Sequence, residues 1–551
     1  MTRRPVADGR LGTTKRGAGR SLNPRDNGTP TLRRTRTTLP SEPITDERMS
    51  TTVTPVDLPD AFEPPQTPDI PPPASETPDA GSIRELLRVA LPLIVSSGSL
   101  SLMHVVDRIM LTRLDVNALA AAMPAGMFHW TALGFPLGVA VYTNTFIAQY
   151  HGAGQKARVA ASVWQGVWLA LGFGIILLSS APFLSRLFVT LGHSAEVTRL
   201  EIEYFSVLCW GSAPMLLAVT LSTFFSGRGQ NRVVMYVDVA VSILNAVLAA
   251  IFIFGFGPIP QMGIRGAAAA TVTANVVACI AFAWMIRRVN QAEQYPFREQ
   301  RRFDGELIRR MLRFGLPNGI QMLVDIAGYL MLVLFIGKLG TVELAATNLA
   351  FNLNALAFIP MLGLGTAVLT LVGRRIGEKR QDLAEKSAWR ALFLAVSYVS
   401  VFAMIYMVWP DVLLGPYATQ EDPQMIAAMS PEELTAYHAE HPPFEEVRPV
   451  VIKLLYFVAM YSVFDALAVI FGNAIRGAGD TRFSLVYTFL CGWFLMVIPS
   501  MLAVRYVEQP LWACWWAVTA NIAALGIGLG LRFRSGKWKN MTVIEQVPPA
   551  H

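Results

Sequence analysis

Twelve stretches of this chain, each long enough to cross a bilayer as a helix, run with almost no charged side chains. They cover 84–111, 122–149, 158–185, 200–225, 233–256, 265–286, 310–337, 345–373, 388–414, 449–474, 483–504 and 510–532. About 20 apolar residues span the hydrocarbon of a membrane, and a helix satisfies its own backbone polar groups there. Only 15% of the residues are charged and 53% are hydrophobic, against about 25% charged in a typical soluble domain. A chain of 551 residues with so little charge cannot cover a water-facing surface. The pattern excludes an ordinary soluble enzyme and predicts an all-α membrane protein with twelve transmembrane helices.

The charges orient these spans. With a cytoplasmic N-terminus, the even-numbered connections and the C-terminal end carry 24 Lys and Arg, and the odd-numbered connections carry nine. That asymmetry predicts cytoplasmic N- and C-termini, because Lys and Arg collect on the cytoplasmic side. It also accounts for the net charge of +7 without a nucleic-acid partner. Cys209, Cys279, Cys491 and Cys514 all fall inside apolar runs, at no spacing that suits a metal, and read as packing residues.

Residues 1–80 differ from the rest. The first 36 hold ten Lys and Arg against two acids, and 51–80 hold six acids, no base and many prolines. This composition predicts a disordered, solvated tail. A transit peptide and an anionic-lipid contact stay open for its basic part. No apolar run suited to a signal peptide follows Arg3-Arg4, and Met49 is a second plausible start. Two bundles follow, at 81–286 and 310–534. They are joined by a basic cytoplasmic linker, 287–309, and the chain closes with a C-terminal tail, 535–551. An acidic external insertion, 415–448, has room for a short helix capped by Ser430.

The two bundles repeat. Arg88-x-x-Leu91-Pro92 recurs as Arg313-x-x-Leu316-Pro317, 225 residues on. Leu119-Ala120-Ala121 matches Leu344-Ala345-Ala346, and Gly152 matches Gly377, at the same offset. Gly227-x-Gly229-x-x-Arg232 recurs as Gly477-x-Gly479-x-x-Arg482 at an offset of 250, the difference fitting the insertion. An even number of spans in each unit makes the repeat parallel, about an axis along the membrane normal. Transporters use this arrangement to rock two halves about a central site.

An ionisable group inside a span is costly and is a functional candidate, and three acids stand out. They are Asp107 in the first span, Asp325 in the seventh and Asp465 in the tenth. Tyr461 sits four residues before Asp465, on the same helix face. The blander reading is local pairing, and Arg108 beside Asp107 makes it strongest there. Asp238 reads as a solvated helix end. Among neutral polar residues, Gln321, Asn245, Asn348 and Asn352 are candidates to line a cavity. His104 and His129 fit either a proton relay or simple packing. There is no phosphate-binding G-x-x-x-x-G-K-[ST] loop, so ATP does not drive this chain directly. The Gly227 and Gly477 motifs read as turns. No nucleophile–base pair suggests an enzyme.

These pieces together resemble the multidrug and toxic compound extrusion (MATE) family, in its NorM-like branch, over about 84–534. The resemblance rests on Leu91-Pro92 with Val106-Asp107, on 148–154 (AQYHGAG), on 262–268 (MGIRGAA) and on 473–481 (NAIRGAGDT). It implies a cation site in the second bundle at Asp325, Asp465 and Tyr461, and a first-span acid at Asp107. Two departures stand out. Asp325 replaces a common glutamate, and Ala249 stands where a second polar residue usually follows Asn245. The implied function is a secondary antiporter that exports amphipathic, cationic organic compounds in exchange for Na⁺ or H⁺. It would need no cofactor, would hold Na⁺ only in transit at Asp325 and Asp465, and would work as a monomer in the plasma (bacterial inner) membrane. Two alternatives remain: a lipid-linked sugar flippase of the same superfamily, disfavoured by acids rather than bases in the spans, and a non-transporting receptor or scaffold.

Overall fold

The computed structural model describes residues 80–545 apart from 115, 191, 418–429, 431–436 and 438–441. The N-terminal tail to residue 79, the helix expected after Ser430 and residues 546–551 lie outside the described residues. Among the described residues, twelve helices are long and apolar enough to cross a membrane. In the first half they are α1 (Ile83–Leu114), α2 (Val116–Gly152), α3 (Lys156–Leu184), α4 (Ala195–Ser226), α5 (Asn231–Phe254) and α6 (Ile264–Glu293). In the second half they are α7 (Gly305–Gly337), α8 (Thr341–Gly377), α9 (Gln381–Val408), α10 (Phe444–Ala478), α11 (Thr481–Tyr506) and α12 (Pro510–Arg534). They match the twelve predicted spans one for one. Among the described residues the only β pairing is an isolated bridge between Phe256 and Ile259.

Helix ends follow local chemistry. Ser194 caps α4 by accepting from the Val197 N–H, and Asp304 caps α7 by accepting from Leu307, each satisfying a donor that the first turn leaves free. α6 runs on to Glu293, so the connection between halves narrows from the expected 287–309 to 294–304. α9 stops at Val408 because Pro410 follows, and a short helix, Pro410–Leu414, takes over. Within α11 a wide π turn covers Gly492–Val497. Pro499, just beyond it, has no N–H and would press on the Leu495 carbonyl of a regular helix.

The duplication appears in the packing. In the first half α2 lies on α3 and α4, α4 on α6, and α5 on α1 and α6. In the second half α8 lies on α9 and α10, α10 on α12, and α11 on α7 and α12. Every pair in one half has its counterpart in the other. The repeated glycines explain how the helices come so close. A Cβ at Gly227 would lie 3.0 Å from the Asn144 carbonyl of α2, and one at Gly477 would lie 2.5 Å from the equivalent Leu369 carbonyl of α8. Gly229 and Gly479 follow with φ of +76° and +113°, the left-handed cap that favours glycine. Both motifs are therefore helix crossings that end in turns.

The halves meet through α2 against α7, α1 against α8, and α2 against α8. The first two crossings are also related by the repeat. Gly138 abuts Gly319, where an added Cβ would be 2.6 Å from the partner Cα; Gly363 abuts Ile94, where it would be 2.8 Å from the partner nitrogen. Both α2 (Gly134, Gly138) and α7 (Gly315, Gly319) present glycines four apart, which lets backbones touch. Nearer the ends of α2 and α8, Gly152 and Gly377 each press on the other helix's backbone, at Arg374 and Gln149. This is the helix end that leads to residues 80 and 545, here termed the terminal end. There Asn144 donates to Thr370 at 2.8 Å, Tyr142 to the Arg476 carbonyl at 2.9 Å and Gln149 to the Gly477 carbonyl at 2.9 Å. The C-terminal segment closes the same end: the Val543 N–H and Thr542 hydroxyl both donate to Gln149, and Glu545 bridges Arg158 of α3 and Arg310 of α7.

Candidate functional site

The faces that cross at the terminal end continue toward the other end without a partner. On α2 the stripe through Gly138 and Gly134 runs on at helical spacing to Trp130, Met127 and Met123, all exposed. On α8 the stripe through Gly363 continues to Leu356, Asn352 and Asn348, also exposed. On α7, Asn318 donates to the Gly138 carbonyl at 2.7 Å. Met322 packs against Leu133 and its neighbours in the first half. Asp325 and Tyr329, the next residues of that stripe, are exposed. A cleft therefore opens between the halves, away from the terminal end. It is lined by soft apolar residues, two asparagines and one carboxylate.

Asp465 is half-buried on α10, inside the second half, and Tyr461 one turn away is 1% exposed. Tyr461 lies within electrostatic reach of Asp465, Tyr406 and Tyr329. Tyr329 is one turn from Asp325 on α7. Among the described residues no hydrogen bond joins Asp325 directly to Asp465. An aromatic wall backs this region, with Tyr329 and Phe351 at 5.2 Å and Phe351 stacked on Trp515 at 5.1 Å. Arg476 reaches back to α7 and donates to Asn318 at 3.4 Å, near enough to act on Asp325 through its charge.

Asp107 faces the interior of the first half and is 7% exposed. Asn245 of α5, fully buried, sits beside it. In the amide orientation that satisfies both its ends, its nitrogen donates to Asp107 Oδ1 at 3.0 Å and its oxygen accepts from the Thr271 hydroxyl of α6 at 3.3 Å. Asp107 thus has a neutral polar partner, although Ala249 fills the later position of that motif. Among the described residues, no Lys, Arg or His forms an ion pair with Asp107, Asp325 or Asp465.

Gln321 and Asn245 lie off the cleft, where sequence reading had placed cavity candidates. Gln321 is 7% exposed, accepts from Ser484 at 2.9 Å and donates to Thr488 at 3.3 Å, both on α11. Its repeat counterpart is Ser96, which donates to Asp238 of α5. Asp238 is thereby half-buried against α1 rather than solvated at a helix end, because the α1–α5 contact reaches that level. His129 is buried and bonded to Ser212 at 3.0 Å. Sequence reasoning passed over Met123, Met127, Trp130 and Tyr329. The paired glycines on α2 and α7 were the available signal, since they mark the face from which these stripes extend.

The arrangement defines a class: a duplicated twelve-helix membrane protein whose halves close at one end, with a carboxylate open to the cleft between them and a further one buried or half-buried inside each half. The MatE family model matches residues 92–251 and 317–502, one segment in each half and together more than half of the chain. The chain belongs to the MatE family and is a multi-pass integral membrane protein. It is 27% identical over 418 residues to a probable multidrug resistance protein NorM of Bradyrhizobium diazoefficiens, covering 74% of this chain and 84% of that one. It is 24% identical to a protein of the same name from Thermotoga maritima, covering 84% and 94%. The fold is similar to a solved structure described as the outward-facing conformation of a multidrug resistance MATE family transporter of the MOP superfamily, with TM-score 0.72, 22% identity, and coverage of 83% of this chain and 97% of that one. A MOP superfamily transporter from Pyrococcus furiosus gives TM-score 0.71 with the same identity and coverage.

Proposed function

We propose that this protein is a secondary active antiporter that exports amphipathic, cationic organic compounds in exchange for Na⁺ or H⁺. One observation carries the reading: Asp107, Asp325 and Asp465 stand inside the spans without an ion pair among the described residues, one of them open to the cleft. A carboxylate at that depth is costly unless a proton or a metal cation joins it. Asp325 and Asp465 take the coupling ion, with Tyr461 and Tyr329 nearby, and Asp107 with Asn245 forms a second station. The methionines and Trp130 offer an adaptable apolar surface for varied substrates, and Asp325 favours cations. The ion and the substrate must each prefer a different state of the halves for exchange to be coupled.

The Lys and Arg distribution supports a cytoplasmic terminal end, so the cleft opens outward from the plasma (bacterial inner) membrane. The relatives named multidrug resistance proteins support the substrate class. In this reading the protein transports rather than catalyses, needs no cofactor or nucleic acid, and works as a monomer because one chain holds both halves. The test is efflux of a fluorescent organic cation from proteoliposomes under an imposed Na⁺ gradient and then a pH gradient. Asp325→Asn and Asp465→Asn should each abolish gradient-driven efflux in folded protein. Normal efflux from both variants would sink the proposal.

A further inference from the structure

At the terminal end, between the start of α7 and the start of α11, a cavity of about 570 Å³ is lined by Glu306, Arg309, Arg310, Arg313 and Arg482. Arg310 is already engaged by Glu306 at 2.9 Å and Glu545 at 2.5 Å. Arg309, Arg313 and Arg482 are exposed, and no carboxylate among the described residues pairs with them. Three like charges converge on one cavity, and no ion pair among the described residues engages them.

Two further features say what fills the cavity. From Arg482 an apolar stripe runs along α11 through Val486, Phe489 and Leu490, which are 56%, 40% and 45% exposed. Charge at the head and exposed hydrocarbon below match a phospholipid, with the headgroup over its acyl chains. The three arginine positions also recur in the first half. Arg84, Arg88 and Arg232 occupy the repeat-equivalent positions on α1 and α5, at the same end, and all three are exposed. Position 85, equivalent to Arg310, is a glutamate held by Arg375.

We propose that the Arg309–Arg313–Arg482 cavity binds the phosphate of an anionic phospholipid from the leaflet at the terminal end. Guanidinium groups bind phosphate through paired N–H donors, and basic pockets between spans are suited to anionic headgroups.

The experiment is native mass spectrometry of the full-length protein with phosphatidylglycerol or phosphatidylcholine. The parent should retain phosphatidylglycerol selectively. Arg309→Gln, Arg313→Gln and Arg482→Gln together should weaken it on the order of a hundredfold, from three surface charges worth roughly fivefold each. The single variants should show partial losses and serve as the readout should the triple fail to fold. Arg301→Gln with Arg302→Gln, which removes two exposed charges outside the cavity, should change little. Equal loss in that control, or unchanged binding in the cavity variants, would overturn the proposal. So would full displacement of the lipid by millimolar inorganic phosphate, which would assign the cavity to a free anion.

Discussion

The crossing of α2 and α7 offers the sharpest test of how the halves are held. Gly319 presses on α2 so closely that an added Cβ would lie 2.5 Å from the Phe135 carbonyl oxygen and 3.1 Å from Val139 Cγ2, where ordinary contact begins at 3.4 Å. Gly319→Ala therefore forces the helices apart by about 0.9 Å at that point, the difference between 3.4 and 2.5 Å. The neighbouring Asn318 bond to the Gly138 carbonyl, at 2.7 Å, would stretch to about 3.6 Å, beyond a useful hydrogen bond. Overpacking costs about 1–3 kcal/mol and the lost bond about 1 kcal/mol. If the crossing exists only while the terminal end is closed, the low end of that sum, ~2 kcal/mol, shifts the equilibrium away from closure roughly 30-fold. Spin labels at Ala157 and Lys386, both exposed and in different halves, read the separation at the terminal end on a background with the native cysteines replaced. Gly319→Ala should populate longer distances. Gly172→Ala, where a Cβ meets nothing within 4 Å, should not. A distribution unchanged by both Gly319→Ala and the bulkier Gly319→Leu would refute the reasoning.

Three further outcomes follow from the same contacts. Arg375 is fully buried between Glu85 and Glu378, at 2.5 and 2.7 Å; Arg375→Met strands Glu85, while Glu378 keeps its ion pair with Arg374 at 2.9 Å, and should cost about 3 kcal/mol, read as a fall in thermal midpoint that Glu85→Gln partly restores. Asn245→Leu removes the donor to Asp107 and should destabilise by about 1–3 kcal/mol, with little added cost when Asp107→Asn is already present; strictly additive effects would mean the two do not interact. Removing residues 542–551 deletes both bonds to Gln149 and the Glu545 bridge, and should increase labelling of a cysteine placed at Gln149, whereas unchanged protection would show that the segment does not cover that site.

Much of the fold was legible in one dimension because hydrocarbon imposes a length and a composition on every span. The twelve spans, the helical class and the duplication all follow from local patterns of this kind. The acids were legible for the same reason, since a carboxylate within an apolar run is conspicuous. Their surroundings were less so. Ala249 leaves out the second polar residue of the resembled motif, yet Asn245 reaches Asp107 across the α1–α5 contact. Gln321 read as a cavity residue, yet Ser484 and Thr488 of α11 absorb its amide.

What the sequence alone determined is therefore the set of apolar helices, their repeat and the three acids that stand out within them. Each depends on residues close along the chain or on matches at a constant offset. The tertiary structure decided which faces of those helices meet and which stay open. Gly138 and Gly319 are 181 residues apart, and nothing local tells a glycine at a helix crossing from one facing lipid. Their contact closes the terminal end, and the unpartnered continuation of the same stripes forms the cleft at Asp325. A polar or small residue acquires its role only from what the facing helix places against it, because in a membrane lipid and protein neighbours are equally apolar.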